Sequence, residues 1–211
     1  TALSILRLLP INCRVAGGEI IFEGKDLLKL PEENLRQLRG KEIGFIFQEP
    51  LAALNPVFSI GFQLNEVLHQ HTNLNKAQIK ERAINLIKKV GIYNPGKATS
   101  DYPHQLSAGM RQRVVVAQAI AANPKLLIAD EPTSNLDVTV QAKILDLFLE
   151  LKNEMNLSIL LITHDLGLVE HFADKVAVIY EGQIVEFGEV KEVLNNPGHN
   201  YTKELLEAVK L

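Results

Sequence analysis

The sequence predicts an α/β fold with a mostly parallel sheet and an inserted helical segment. Two apolar runs, "KLLIAD" (125–130) and "LSILLIT" (157–163), have the length and composition of buried parallel strands. Strand and helix patterns alternate at both ends of the chain, whereas the middle is rich in helical patterns. We therefore expect a single domain in which 1–48 and 124–211 form the core and 49–123 form a helical subdomain.

The first part of the chain predicts helix, hairpin, helix and strand, in that order. "TALSILRLLP" (1–10) is typical of a buried helix that runs to Pro10. "GEIIFEGKDLL" (18–28) predicts two short strands joined by a glycine-containing turn. "PEENLRQLRG" (31–40) has proline and acidic residues at its start and glycine at its end, as helices do. "EIGFIFQ" (42–48) predicts a strand that leads to Gln48.

Helical patterns dominate the middle of the chain. They cover about 61–71, 75–90 and 107–122, and "NPGKATSDYPHQ" (94–105) between the last two predicts a loop. An amphipathic helix is expected over 138–155. "KVAVIY" (175–180) and "EGQIVEFG" (181–188) predict a strand, a turn and another strand, and two short helices close the chain.

The composition is that of an ordinary globular protein. Of the 211 residues, 46% are hydrophobic and 22% charged, and the net charge is −3, which gives no support to nucleic-acid binding. The single cysteine, Cys13, indicates a reducing compartment. The chain has no initiating Met and no capping residue before its first helix, so we expect an N-terminally truncated fragment.

Acidic residues follow the first of the two apolar strands. Asp130 ends that strand and Glu131 comes next. Ligands of parallel sheets bind beyond the carboxyl ends of the strands. A carboxylate there can hold Mg²⁺, and a second one can polarise a water for attack on phosphorus.

Three other places carry residues suited to phosphate chemistry. Ser107 can cap a helix whose next residues, Ala108 and Gly109, are small, and exposed amides at a helix N-terminus bind anions. Arg111 and Arg113 add positive charge nearby. His164 follows the second apolar strand and can donate to a phosphate oxygen. Gln48 follows an earlier strand and can reach a metal or its water.

Taken in order, these pieces resemble the ATP-binding cassette (ABC) ATPases, which have a P-loop NTPase-like core. The matching stretches are "FIFQEP", "LSAGMRQRVVVAQAIAANPKLLIADEPTSNLD" and "ILLITHDL". They look like the family's Q-loop, signature motif, Walker B with D-loop, and switch histidine. "DYPHQLS" and "HNYTKELLEAV" are similar to the oligopeptide, dipeptide and nickel importer branch.

The resemblance implies a role for each matched residue in ATP hydrolysis. Gln48 would contact Mg²⁺ or its water, and Asp130 would hold Mg²⁺ through water. Glu131 would be the general base. His164 would contact the γ-phosphate of ATP.

The resemblance also implies partners. A second ABC ATPase subunit would pair head to tail, so that Ser107, Ala108, Gly109 and Asp137 meet the ATP bound by that subunit. Residues 49–70 would receive the permease of an importer served by an extracytoplasmic substrate-binding protein. The chain would then lie at the cytoplasmic face of the inner membrane, with no nucleic-acid partner.

The chain departs from the family pattern twice. Ala108 stands where the signature motif usually has glycine, and we expect weakened contact with the partner's ATP. The phosphate-binding loop G-x-x-x-x-G-K-[ST] does not occur in the 211 residues. We expect it directly upstream of Thr1.

Two alternatives stay open. One is a cassette ATPase that works in repair or translation. The lack of an excess of basic residues and the importer-like 49–70 region argue against it. The other is a non-enzymatic remnant that only docks or dimerises, against which stand Asp130, Glu131 and His164. The transported substrate and the choice between one or two kinds of ATPase subunit are not encoded in recognisable motifs.

Overall fold

A computed structural model describes residues 1–49, 53–134 and 136–209. Within it the chain forms two compact units, Thr1–Ile162 and Thr163–Leu211.

The first helix is shorter than its sequence pattern suggests. Helix α1 spans Ala2–Ile5, so the predicted extension to Pro10 is wrong. Arg7 adopts the left-handed conformation, with φ of 52°. The Leu8 N–H then reaches back to the Leu3 carbonyl, at 2.8 Å. This bond closes a Schellman-type helix end, which satisfies carbonyls that a longer helix would have used.

The hairpin and second helix agree with the sequence pattern. Strands β1 (Ile21–Phe22) and β2 (Lys25–Asp26) pair antiparallel. Glu23 and Gly24 between them both have positive φ, as a two-residue type I′ turn requires. Helix α2 covers Glu32–Leu38 and begins after Pro31.

A three-stranded parallel sheet forms the centre of the first unit. Its strands are β3 (Ile43–Ile46), β4 (Leu126–Asp130) and β5 (Ser158–Ile162), with β4 in the middle. The register places Ile46 beside Ala129 and Asp130 beside Ile162. The parallel arrangement predicted from the two apolar runs is therefore confirmed.

Both faces of the sheet are covered, as parallel strands require. On one face Ile43 and Ile128 are fully buried in a cluster with Ala2, Leu6 and Leu35 from the first two helices and their flanks. On the other face Gly44 lies so close to the helix before β4 that an added Cβ would be 2.3 Å from the Ala119 carbonyl oxygen. Gly44 thus sets how closely that helix approaches the sheet.

Helices fill the segment between β3 and β4. They are α3 (Ile60–His71), α4 (Lys76–Lys89), α5 (Pro95–Ser100) and α6 (Ala108–Ala119). The prediction of a loop over 94–105 is wrong, because α5 and a 3₁₀ turn at Pro103–Gln105 lie there. Each of these short elements begins with a proline, whose fixed φ favours the first helical position.

The long helix α7 spans Val138–Met155, where the sequence predicted it. Its buried side chains include Ile144, Leu147 and Leu151, which share one face. The helix ends at Asn156, which is left-handed with φ of 50°. It connects β4 to β5 and completes a parallel crossover.

Up to residue 209, where the described part ends, the second unit contains a hairpin and three helices. Its elements are α8 (Leu166–Phe172), β6 (Lys175–Tyr180), β7 (Gln183–Glu189), α9 (Val190–Asn195) and α10 (Asn200–Val209). The β6 and β7 strands pair antiparallel around Glu181 and Gly182, both with positive φ. Across the part of the chain that the structure describes, no helix is long and apolar enough to span a membrane.

Candidate functional site: the carboxyl edge of the parallel sheet

The structure brings Gln48 and Glu131 together. Gln48 lies two residues beyond β3, and Glu131 directly follows β4, the neighbouring strand. The Gln48 Nε2 donates a hydrogen bond to the Glu131 Oε2 at 3.2 Å, although the two residues are 83 positions apart in sequence. Two of the predicted functional side chains therefore meet at the carboxyl edge of the sheet.

The backbone of Glu131 is held in an unusual conformation. Its φ is 44°, in the left-handed region that glutamate rarely adopts. Its N–H donates to the Ile162 carbonyl at 2.9 Å, and its own carbonyl accepts from the Ser134 N–H and hydroxyl. Such strain costs about 1–3 kcal/mol and is concentrated at functional sites. The turn thus fixes the direction in which the carboxylate leaves the strand.

Asp130 is the last residue of β4 and is half-buried. The residues that the structure describes contain no cluster of three or more His, Cys, Asp or Glu side chains arranged to hold a metal. Mg²⁺ in nucleotide sites is usually held by one or two carboxylates, with phosphates and waters completing the shell. Asp130 and the adjacent Glu131 supply two carboxylates at the sheet edge, which fits that ion better than it fits a metal needing a full protein cage.

Ser107 caps helix α6, as the sequence predicted. Its Oγ accepts a hydrogen bond from the Met110 N–H at 3.2 Å. Because the hydroxyl hydrogen is not used in this bond, Ser107 can still donate to an anion. Ser107 and Ala108 are exposed, and Gly109 is half-buried.

The first turns of α6 and α7 lie against each other. A Cβ added to Gly109 would be 2.9 Å from Cγ1 of Val140, so only glycine leaves room for this contact. Asp137 caps α7 by accepting from the Val140 N–H at 3.0 Å. The structure thus places Ser107, Gly109 and Asp137 in one region, although Asn135 of the intervening motif lies outside the described residues.

Two arginines of the signature stretch have structural partners. Arg111 Nη1 donates to the Leu106 carbonyl and Arg113 Nη1 to the Val90 carbonyl, each at 2.6 Å. Arg113 therefore closes the end of α4, and Arg111 fixes the residue before Ser107. These bonds leave both guanidinium groups charged, so the positive charge expected near Ser107 stays a prediction.

His164 lies in the second unit, two residues beyond the end of β5, and is exposed. Its neighbour Asp165 caps α8 by accepting from the Gly167 N–H at 2.9 Å. The Asp165 N–H in turn donates to the Thr163 hydroxyl at 3.0 Å. The histidine therefore stands on a short, hydrogen-bonded turn rather than on a helix or strand.

Sequence reasoning missed a group of exposed apolar side chains before and within α3. Val57, Phe58 and Phe62 are 70%, 42% and 45% exposed. The rings of Phe58 and Phe62 stack, with centroids 4.6 Å apart. We call these three residues the aromatic patch. Apolar residues at a helix start are common in cores, so their exposure had no signal in the sequence.

Known proteins resemble this chain in sequence. The sequence model of the ABC transporter family matches residues 4–134. The oligopeptide transport ATP-binding protein OppD of Bacillus subtilis is 51% identical over 210 residues, which are 99% of this chain and 59% of OppD. The dipeptide transport ATP-binding protein DppD of the same organism is 46% identical, over 99% of this chain and 63% of DppD. The chain thus spans about six tenths of the length of these relatives.

A solved structure shares the fold. The ATP-binding cassette MJ0796, in a dimeric post-hydrolysis state bound to ADP and Pi, matches with a TM-score of 0.73 and 25% identity. The match covers 83% of this chain and 74% of that one. The α/β fold predicted from the sequence is therefore confirmed, and so is the resemblance to cassette ATPases. The chain belongs to the ABC transporter family.

Proposed function

We propose that this chain is part of an ATPase subunit that powers a peptide importer. The observation that carries the proposal is the hydrogen bond between Gln48 and Glu131 at the carboxyl edge of the sheet, beside Asp130. This is where a parallel sheet binds nucleotides. Its relatives OppD and DppD are named as oligopeptide and dipeptide transport ATP-binding proteins, which supports peptides as the cargo.

The proposed chemistry is phosphoryl transfer from ATP to water. Glu131 accepts a proton from the attacking water, and Gln48 holds that carboxylate and senses the γ-phosphate. Asp130 and Gln48 are the residues that would hold Mg²⁺ through water, and His164 would contact the γ-phosphate. The bound ion would offset the negative charge that develops on the transferred group.

We further propose that a second ATPase subunit completes each site. The contact between Gly109 and Val140 keeps the first turns of α6 and α7 together, so Ser107, Ala108, Gly109 and Asp137 can face one ligand. A helix N-terminus with exposed amides favours a phosphate. The dimeric state of MJ0796 with ADP and Pi supports such an arrangement. The methyl group of Ala108 would weaken the contact with the ATP bound by the second subunit.

We propose that residues 49–70 receive the membrane-embedded permease, which in turn works with a substrate-binding protein. The aromatic patch lies in this region, and clusters of exposed apolar side chains commonly mark interaction sites. Residues 50–52 lie outside the described residues. The subunit would then be peripheral, at the cytoplasmic face of the membrane.

We also propose that 1–48 and 124–211 form one core and 49–123 a helical subdomain.

Deleting the gene tests the proposal. In the organism that carries it, uptake of a radiolabelled oligopeptide should fall to background and should return when the gene is restored. Uptake of a labelled sugar serves as the control for general energy loss. If peptide uptake is unchanged in the deletion strain, the proposed role in import is wrong.

We predict that these 211 residues alone bind ATP with a dissociation constant of roughly millimolar or weaker. The reason is that the backbone amides and lysine of a G-x-x-x-x-G-K-[ST] loop supply most of the contacts to the phosphates, and this sequence is absent from the 211 residues. Isothermal titration calorimetry with ATP and Mg²⁺ measures this dissociation constant. A micromolar constant would contradict the prediction.

A further inference from the structure

Gln63 is a buried polar residue that no motif explains. It lies in the first turn of α3 and is only 9% exposed. Its Oε1 accepts from the Asn55 N–H at 2.9 Å. Its Nε2 donates to two carbonyls, that of Asn55 at 3.0 Å and that of Phe58 at 2.9 Å. One side-chain amide thus satisfies three backbone groups of the preceding loop.

Among the residues that the structure describes, the loop from Asn55 to Phe58 makes few other hydrogen bonds. The Asn55 Oδ1 accepts from the Val57 N–H at 3.1 Å, and Pro56 has no N–H to donate. The Phe58 N–H makes a long bond of 3.4 Å to the Asn55 carbonyl. Beyond the loop, Ser59 caps α3 by accepting from the Phe62 N–H. Through its three bonds, Gln63 therefore fastens the loop to the helix.

The aromatic patch depends on this link. Phe58 lies in the loop and Phe62 on the helix, so their stacking at 4.6 Å needs the loop to stay in place. Phe62 precedes Gln63 in the chain, and Phe58 offers its carbonyl to the same amide. Without the amide, the exposed Phe58 and Val57 would move independently of the helix.

We propose that Gln63 is a positioning residue that pre-organises the aromatic patch for an apolar surface of the membrane-embedded partner. This inference rests on the proposed docking of residues 49–70 to the permease. Exposed apolar groups bind more tightly when they are held in the bound conformation beforehand, because less freedom is lost on binding. Gln63 holds the loop in place from a buried position, so its own side chain does not contact the partner.

The chemistry of the amide suggests a variant that titrates. Glutamine offers an acceptor and a donor at once, whereas an ionised glutamate only accepts. In Gln63→Glu the carboxylate would face the Asn55 and Phe58 carbonyls, which should raise its pKa. Once protonated, it can donate again to one of them. The loss of order in the Asn55–Phe58 loop of this variant should therefore become smaller as the pH falls.

Amide hydrogen exchange on the full-length gene product measures the order of the loop. At about pH 8, protection of the Asn55 and Val57 amides in Gln63→Glu should fall about tenfold or more, equivalent to roughly 1.4 kcal/mol. At about pH 5 it should return to within about threefold of the native protein. Gln70→Glu, the same change at an exposed position of α3, should alter neither value. The amides of α4 report whether the fold is intact.

Native protection of the loop in Gln63→Glu at pH 8, or a deficit that does not change with pH, would overturn the inference. Should α4 lose protection too, Gln63→Asn decides instead, because it keeps an uncharged amide that is too short to reach all three groups. A loss confined to the loop then supports the inference, and native protection of the loop overturns it.

A sedimentation experiment separates this inference from the docking proposal. Membrane vesicles are prepared from the deletion strain and mixed with the full-length product, and binding is expressed relative to the native protein at the same pH. Phe58→Ser should lose binding but keep loop protection at Asn55. Gln63→Glu should lose binding at pH 8 and regain it at pH 5. If Phe58→Ser binds normally, the docking surface is wrong. If only Gln63→Glu binds normally, the positioning role is wrong.

Discussion

A full-length product that carries Glu131→Gln is expected to hydrolyse ATP roughly 100- to 10,000-fold more slowly than the native protein. The substitution preserves size, and the new carboxamide oxygen can still accept the hydrogen bond that Gln48 donates to Glu131. The ability to take a proton from water is lost. Binding of ATP should be retained, because no contact to a phosphate is removed. Phosphate release and equilibrium ATP binding, measured in parallel, check both statements.

The matched control is Glu150→Gln. Glu150 is exposed on α7, away from the residues of the proposed site, so the same loss of a carboxylate should leave hydrolysis unchanged. If Glu131→Gln retains hydrolysis within about tenfold of the native rate, Glu131 is not the general base. The left-handed turn at Glu131 would then need another explanation.

Gly44→Ala is expected to lower the free energy of unfolding by about 3 kcal/mol, at the upper end of the range for overpacked cores. Its new Cβ would be 2.3 Å from the Ala119 carbonyl oxygen and 3.2 Å from Cδ1 of Leu127. The leucine can turn away, but the carbonyl belongs to helix α6 and can only move with the helix. For a chain of this size the midpoint of thermal unfolding should fall by roughly 6–12 °C, as circular dichroism would show.

Gly96→Ala is the matched control for Gly44→Ala. Gly96 lies in helix α5, and a Cβ there would have nothing within 4 Å. Alanine is the better helix former, so this variant should be neutral or more stable by about 0.5–1 kcal/mol. If Gly44→Ala unfolds at the same temperature as Gly96→Ala, α6 does not pack against β3 as closely as described.

The elements with strong periodicity were predicted from sequence with nearly correct bounds. The amphipathic pattern over 138–155 predicted α7, and the apolar runs predicted the strands that end at Asp130 and Ile162. These patterns are local, since a stripe of apolar residues every 3.6 positions buries only as a helix. The capping role of Ser107, which the sequence also predicted, is equally local.

The errors arose where local signals compete. Pro10 suggested that the first helix ends there, yet a left-handed Arg7 ends it earlier. Prolines at 95 and 103 indicated a loop, but proline also begins helices, and packing decided in favour of α5 and a 3₁₀ turn. The bond from Arg113 to the Val90 carbonyl at the end of α4 had no signal in the sequence either. The sequence of a short polar segment does not specify which residues it will contact in the folded protein.

By itself, the sequence determined the ordered series of motifs and the family to which the chain belongs. Only the tertiary structure decided that Gln48 meets Glu131, that Gly109 lies against Val140 and that Gln63 is buried beneath the aromatic patch. The physical reason is the range of the interactions involved. Helix and strand periodicity depends on neighbours a few residues apart, whereas contacts between distant residues depend on how closely whole elements pack.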